Sequence, residues 1–446
     1  MKRTTLLAIL LLLAGSLSGQ EPFVFTEGDN AWFPLVKDSK PVALLVDQAD
    51  DKGVLRAAND LREDFRRVTG NTPAANSPQA ILVGTAGKSA AIDRLVREGK
   101  IDGSALKGKR EKYLIQTVEN PAEGITSALV IAGSDRRGTI FGIYELSRQI
   151  GVSPWYWWAD VPTVHRDQLY VKPGVYTDGE PAVRYRGIFI NDEAPAFQGW
   201  CEEQFGGVNA KMYEHMFELI LRLKGNFLWP AMWGNALYYD DPRSGELADE
   251  MGVVLGTSHH EPMGRAHEEW NHLHKGRPWD YEKNPEELRE FWRGGMERMK
   301  DYETVVTVGM RGDGDAPMSE GANIALLQRI IKDQRNIISK VTGKKAEERP
   351  QAWALYKEVQ DYYDKGMRVP DDITLLLCDD NWGNIRKLPD INAPKRKGGY
   401  GVYYHFDYVG APRNYKWLNV TQNERTYEQM SLAYRHGVDR IWVVNT

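Results

Sequence analysis

Cysteine is nearly absent: Cys201 and Cys378 are the only two in 446 residues. Two thiols make no disulfide framework, and no Cys/His spacing matches a structural zinc site. Cys378 sits inside an apolar run, where a small core residue is expected. An excess of one charge is also missing. Lys plus Arg total 57 against 62 for Asp plus Glu, so nothing argues for nucleic acid or an anionic membrane as a partner. Beyond the N-terminus no apolar run is long enough to span a bilayer, and no membrane span is expected. The run at residues 6–13 is too short to be one. It follows Lys2 and Arg3 and precedes small residues at 15–19. That order predicts a secretory signal over residues 1–20 and an exported, secreted or periplasmic, mature chain.

Aromatic residues are plentiful at 11%, with 14 Trp. Indole faces stack on the C–H groups of sugars, and they also fill large cores, so the count alone decides nothing. Position is more telling. Eight short apolar runs each turn polar at their C-terminal ends. They are RGIFIND (186–192), GNFLWPAMW (225–233), VVLGTSHHE (253–261), VVTVGMRGDGD (305–315), AWALYKE (352–358), ITLLLCDDNW (373–382), GYGVYYHFDY (399–408) and RIWVVNT (440–446). Helical periodicity lies between several of them, as at 212–224 and 322–343, which is the crossover that parallel strands require. The pattern predicts a (β/α)8 barrel, whose active site sits at the C-terminal ends of its strands.

Before the barrel, apolar strands at 42–47, 80–87, 112–118 and 127–135 alternate with amphipathic helices at 55–70 and 137–152. This predicts a small α/β sandwich. Residues 160–181 are Pro- and Gly-rich and read as a linker. The fold expected is therefore an N-terminal α/β accessory domain (21–175) followed by a (β/α)8 TIM barrel (176–446). The chain stops after the eighth strand, so a barrel truncated there, with its closing helix and any further domains missing, is expected.

Carboxylates gather at the ends of the runs: Asp192 and Glu193 on the first, Asp313 and Asp315 on the fourth, Glu358 on the fifth, Asp379 and Asp380 on the sixth, Asp407 on the seventh. Barrel interiors favour Val, Ile and Leu, because an unpaired buried carboxylate costs several kcal/mol or shifts its pKa. Repeated acids therefore point to one converged site. A pair of opposed carboxyls is what glycoside hydrolysis uses, one as proton donor and one as base or nucleophile. Asp313 and Asp315 also suit a calcium loop, but the twelfth position counted from Asp313 is Asn323, not the bidentate Glu of that motif. On a strand, the adjacent His259 and His260 would face opposite ways, so one of them at most is expected in the site. Trp229, Trp233 and Trp382 flank strand ends. Lys395, Arg396 and Lys397 are either a solvated loop or, if folded over the mouth, a lure for an anionic sugar.

The segments YRGIFINDEAPAFQGW, NFLWPAMW, GTSHHEPM, GMRGDGD, YKEVQDYYDKG, CDDNWGN and YYHFDYVGAPRNYKW resemble glycoside hydrolase family 115. Its members are α-glucuronidases that remove glucuronic acid or its 4-O-methyl ether from xylan. Residues 42–155 resemble the N-terminal domain shared with other α-glucuronidases and hexosaminidases. The resemblance implies an inverting hydrolase that needs no metal or other cofactor, with glucuronoxylan or glucuronoxylo-oligosaccharides as partner. It implies Asp192, Asp315, Glu358 and Asp379 as essential acids, with Asp315 and Glu358 as the acid/base pair in either order. It places Arg311, Asn381, His405, Tyr408 and Asn445 in the pocket, with His259, Trp233 and Tyr356 beside them. Family members continue into further domains and dimerise partly through them, so a homodimer is expected of a full-length protein. A hexosaminidase-like hydrolase and a non-catalytic polysaccharide-binding protein are the alternatives.

Overall fold

The computed structural model describes residues 21–319, 321, 323–406, 408 and 421–446. The expected signal segment and Asp407 lie outside the described residues. Two compact units divide between Pro181 and Ala182.

In the first unit, β1 (Val24–Phe25), β2 (Phe33–Lys37), β3 (Lys40–Pro41) and β8 (Leu169–Val171) form an antiparallel sheet in the order β1-β8-β2-β3. A five-stranded sheet runs β4-β5-β7-β6-β9, built from Ala43–Val46, Gln79–Thr85, Ile125–Gly133, Tyr113–Ala122 and Val175–Tyr176. The helix α1 (Lys52–Thr69) buries Val54, Ala58, Leu61, Phe65 and Val68 at three- and four-residue spacing, and Gly70 ends it at φ 75°. The expected linker is a correction. Residues 160–181 carry β8 and β9, which pair with the two sheets. Strands of two and three residues are too short for alternation to reveal.

The second unit is the eight-stranded barrel. Its strands are β10 (Tyr185–Ile190), β11 (Phe227–Pro230), β12 (Val254–Leu255), β13 (Val306–Thr307), β14 (Gln351–Ala354), β15 (Thr374–Cys378), β16 (Tyr400–His405) and β17 (Ile441–Asn445). All pair in parallel, in the order β12-β11-β10-β17-β16-β15-β14-β13. The two ends meet where Leu255 bridges Thr304 in parallel and the Val305 amide donates to the Leu255 carbonyl at 3.0 Å. All eight runs read from the sequence are these strands.

The interior is aromatic as well as aliphatic. Phe189, Phe227, Trp229, Tyr356 and Tyr403 pack with Val254, Leu376, Cys378 and Val443. Trp229 is fully buried and belongs to this core, as does Cys378; both cysteines are free thiols. Gly256 sits over Trp229 so closely that a Cβ there would lie 2.1 Å from the indole nitrogen. A plug of large rings fills the floor and leaves the polar strand ends above it as the place for a ligand. Among the described residues no helix is long and apolar enough to cross a membrane.

Candidate active site

Arg311 organises the strand ends. It follows β13, is 2% exposed, and its guanidinium holds two carboxylates. Nε and Nη2 donate to Glu358, at 3.0 and 2.7 Å, and Nη1 donates to Asp315. Glu358 follows β14, so the fork ties neighbouring strands together. A planar guanidinium suits this double engagement as an ammonium does not. The backbone behind Arg311 is fixed too. The Trp279 indole donates to the Arg311 carbonyl at 3.0 Å. The Gln334 amide accepts from the Gly309 N–H at 2.7 Å and donates to its carbonyl at 2.8 Å, replacing a strand neighbour.

Asp315 gathers more partners. Lys357 Nζ lies 3.6 Å from its Oδ2, and His259 Nε2 lies 3.2 Å from its Oδ1. Burial, then the Arg311 and Lys357 charges, holds the His259 imidazole well below its usual pKa, so it is neutral. Its buried Nδ1 has no partner among the described residues. Both histidines enter the site, which corrects the expectation of one. The strand ends at Leu255, and the Glu261 N–H closes a turn on the Ser258 carbonyl at 3.0 Å, so strand alternation does not apply. His260 pairs with Ser258 at 2.7 Å, and Trp233, 39% exposed, stacks on it at 4.9 Å.

Asp379 is committed. Its Oδ1 accepts from the Asn381 N–H at 3.2 Å and pairs with His405 Nδ1 at 2.6 Å. Its Oδ2 accepts from the Gly383 and His405 backbone amides at 3.2 and 3.1 Å. Asp379 thereby orients the His405 ring. Asn445 donates to the Tyr403 hydroxyl and accepts from Asn191, both at 2.8 Å. Asn381 keeps a buried Oδ1 without a partner among the described residues. Tyr356 packs on His259 and His405, and Tyr408 meets His405 edge-on at 5.7 Å.

Asp192 is fully buried. Its Oδ1 accepts from the Met232 N–H at 2.9 Å, and its Oδ2 has no partner among the described residues. Burial, then the Glu193 charge, pushes its carboxyl up to about 7 from 3.8. The folded chain therefore binds an extra proton between those values. The stability given by the neutral carboxyl is complete below the lower value and lost as pH rises through the upper one. This difference is worth on the order of 4 kcal/mol. Urea unfolding should show the wild type losing more stability than Asp192→Asn between pH 5 and 8; equal losses would contradict the shift.

The remaining acids are structural or peripheral. Asp380 accepts from the Trp382 and Asn384 amides, capping its own turn. Asp313 is 74% exposed, with His267 Nδ1 4.0 Å from its Oδ1. His259, His260 and Asp315 do place ligand atoms within 4.8 Å of one another. The same Asp315 oxygen accepts from Arg311, however, and a guanidinium there opposes a second cation. The basic run does not cover the mouth. Arg396 donates to the Pro370 and Ile373 carbonyls, which precede β15 at the opposite end of the barrel. Sequence reasoning missed Lys357, Trp279 and Gln334, and of the two histidines it placed His259 alone beside the pocket. Lys357 stands beside Glu358 and could have been noticed; the others act through turns and contacts that spacing does not encode.

A family model described as glycosyl hydrolase family 115 matches residues 178–446. The chain belongs to that family. A solved family GH115 4-O-methyl-α-glucuronidase, BtGH115A, with specificity for decorated arabinogalactans, matches this family 115 chain at 35% identity and TM-score 0.83. The match covers 93% of this chain and 55% of the other, so the chain spans little more than half that relative's length. Two GH20 enzymes share the fold alone. The β-N-acetylhexosaminidase of Streptomyces coelicolor A3(2) matches at 11% identity and TM-score 0.55, over 94% of this chain and 84% of its own. The N-acetyl-β-hexosaminidase of Streptomyces plicatus matches at 12% and 0.55, over 94% and 83%. No curated protein matches the chain.

Proposed function

We propose that this protein is an exo-acting α-glucuronidase, exported from the cell, that hydrolyses glucuronic acid or 4-O-methylglucuronic acid side chains from glucuronoxylan by inversion. The observation that carries this is the Arg311 fork. It presents two carboxylates from neighbouring strand ends, Asp315 and Glu358, on different nitrogens of one guanidinium. A guanidinium between the carboxyls favours the wider separation of an inverting pair, roughly 6.5–9.5 Å, which leaves room for a water. One carboxyl gives a proton to the glycosidic oxygen as the bond from C1 breaks. The other takes a proton from water, whose oxygen bonds to C1 from the opposite face. Free β-glucuronic acid and a sugar hydroxyl result. NMR during hydrolysis of aldouronic acid should show the β-anomer first; initial α-anomer would overturn inversion.

Lys357 is the group suited to the uronate. Its ammonium is 41% exposed and lies over the Tyr356 ring at 5.1 Å. Arg311, already holding two carboxylates, has less to offer a third. Lys357→Met should raise KM for an aryl glucuronide roughly tenfold or more, the scale of one charge-assisted hydrogen bond. It should also narrow the preference for the glucuronide over the matching glucoside. An unchanged preference would remove Lys357 from this role.

The similarity to a relative specific for decorated arabinogalactans supports a second polymer. Parallel assays on glucuronoxylan and on glucuronate-decorated arabinogalactan decide between them.

A further inference from the structure

We propose that the first unit carries a second carbohydrate site, a cleft for an uncharged stretch of glycan main chain. A cavity of about 430 Å³ opens between the small antiparallel sheet and one face of the five-stranded sheet. That volume lies within the range of small-ligand sites.

Its floor is a polar row. Gln79 on β5 pairs with Ser127 on β7, and Ser127 pairs with Glu119 on β6. Directly paired residues share a sheet face, so these three side chains stand in line across three strands. Thr117, two residues before Glu119, joins them on that face. Such a face would ordinarily be open to water. Here it is walled by Tyr170 on β8 and by Trp32 in the turn before β2. Gly28 presses on both rings: a Cβ there would lie 2.7 Å from Tyr170 and 3.2 Å from Trp32.

The polar groups are uncommitted. The side chains of Gln79, Thr117, Glu119, Ser127 and Lys37 form no hydrogen bond or ion pair with any other described residue. An amide, two hydroxyls, a carboxylate and an ammonium beside aromatic walls offer the donors and acceptors that sugar hydroxyls need, with apolar faces for the C–H side of the ring. The charges select the ligand. Asp29 and Glu119 outnumber Lys37, so a uronate is disfavoured and a neutral sugar is not.

The test is calorimetry on the whole protein, with the barrel site saturated by glucuronic acid. Neutral xylo-oligosaccharides form one arm and neutral galacto-oligosaccharides the other, which separates the two main chains that could supply the ligand. At least one arm should bind. Trp32→Ala should weaken that binding roughly tenfold, the loss of one stacking wall. Hydrolysis of a small aryl glucuronide should be unchanged. If Trp32→Ala does not fold, Thr117→Ala/Glu119→Ala on the strand surface serves instead, with the same expectation. Absence of heat in both arms, or equal binding by wild type and variants, overturns the proposal. Either result leaves the reading of the barrel site untouched.

Discussion

Glu358→Gln and Asp315→Asn should each lower kcat on aldouronic acid by roughly 10²–10⁴-fold, the usual contribution of a positioned acid or base. Both changes keep the size of the side chain, so the fork with Arg311 loses charge but not shape. The roles then separate with the leaving group. An aryl glucuronide whose phenol needs no protonation should largely restore the variant lacking the acid. It should do nothing for the variant lacking the base. Added azide, a nucleophile that needs no deprotonation, should rescue only the latter. Activity within threefold of wild type in either variant would remove that residue from the pair.

Arg311→Met should be costly to the fold as well as to the reaction. The guanidinium is 2% exposed and neutralises two carboxylates. Removing one partner of a buried pair typically costs about 3–5 kcal/mol, because the remaining charge is left uncompensated. Here two acids are left, although Lys357 stays beside Asp315. Without Arg311 the two carboxylates repel each other with one cation fewer between them. The deficit should therefore be full at pH 7 and shrink as pH falls through the carboxylate range and the acids become neutral. Urea denaturation at pH 7 and 4 reads this directly. A deficit that does not depend on pH would assign the loss to packing instead.

The barrel was legible because each strand is an apolar run with a polar end, and that pattern is local. The convergence of Arg311, Asp315 and Glu358 was legible for the same reason: barrel closure brings strand ends together whatever the details. Three things were not. His260 enters through a turn that ends strand alternation early. Asp379 looks like its fellow acids, and only its four hydrogen bonds show that it serves His405. The strands at 169–171 and 175–176 are short pieces whose identity comes wholly from their partners.

The loops above the barrel share a backbone property. Met232, Met263, Asp315, Lys357 and Asn381 all have φ between 49° and 65°, one in each loop after the second to sixth strands. Only Asn and Asp adopt that region with some ease, and bulkier side chains are strained there at about 1 kcal/mol or more. The rim is therefore held open by the barrel beneath it, like a bent bow by its string. Setting glycine at Met232 or Met263 would release that strain and still cost more, because both side chains are buried and a cavity would take their place. The two strained methionines are thus kept in place by their own burial, and the turns that carry them hold their shape for the same reason.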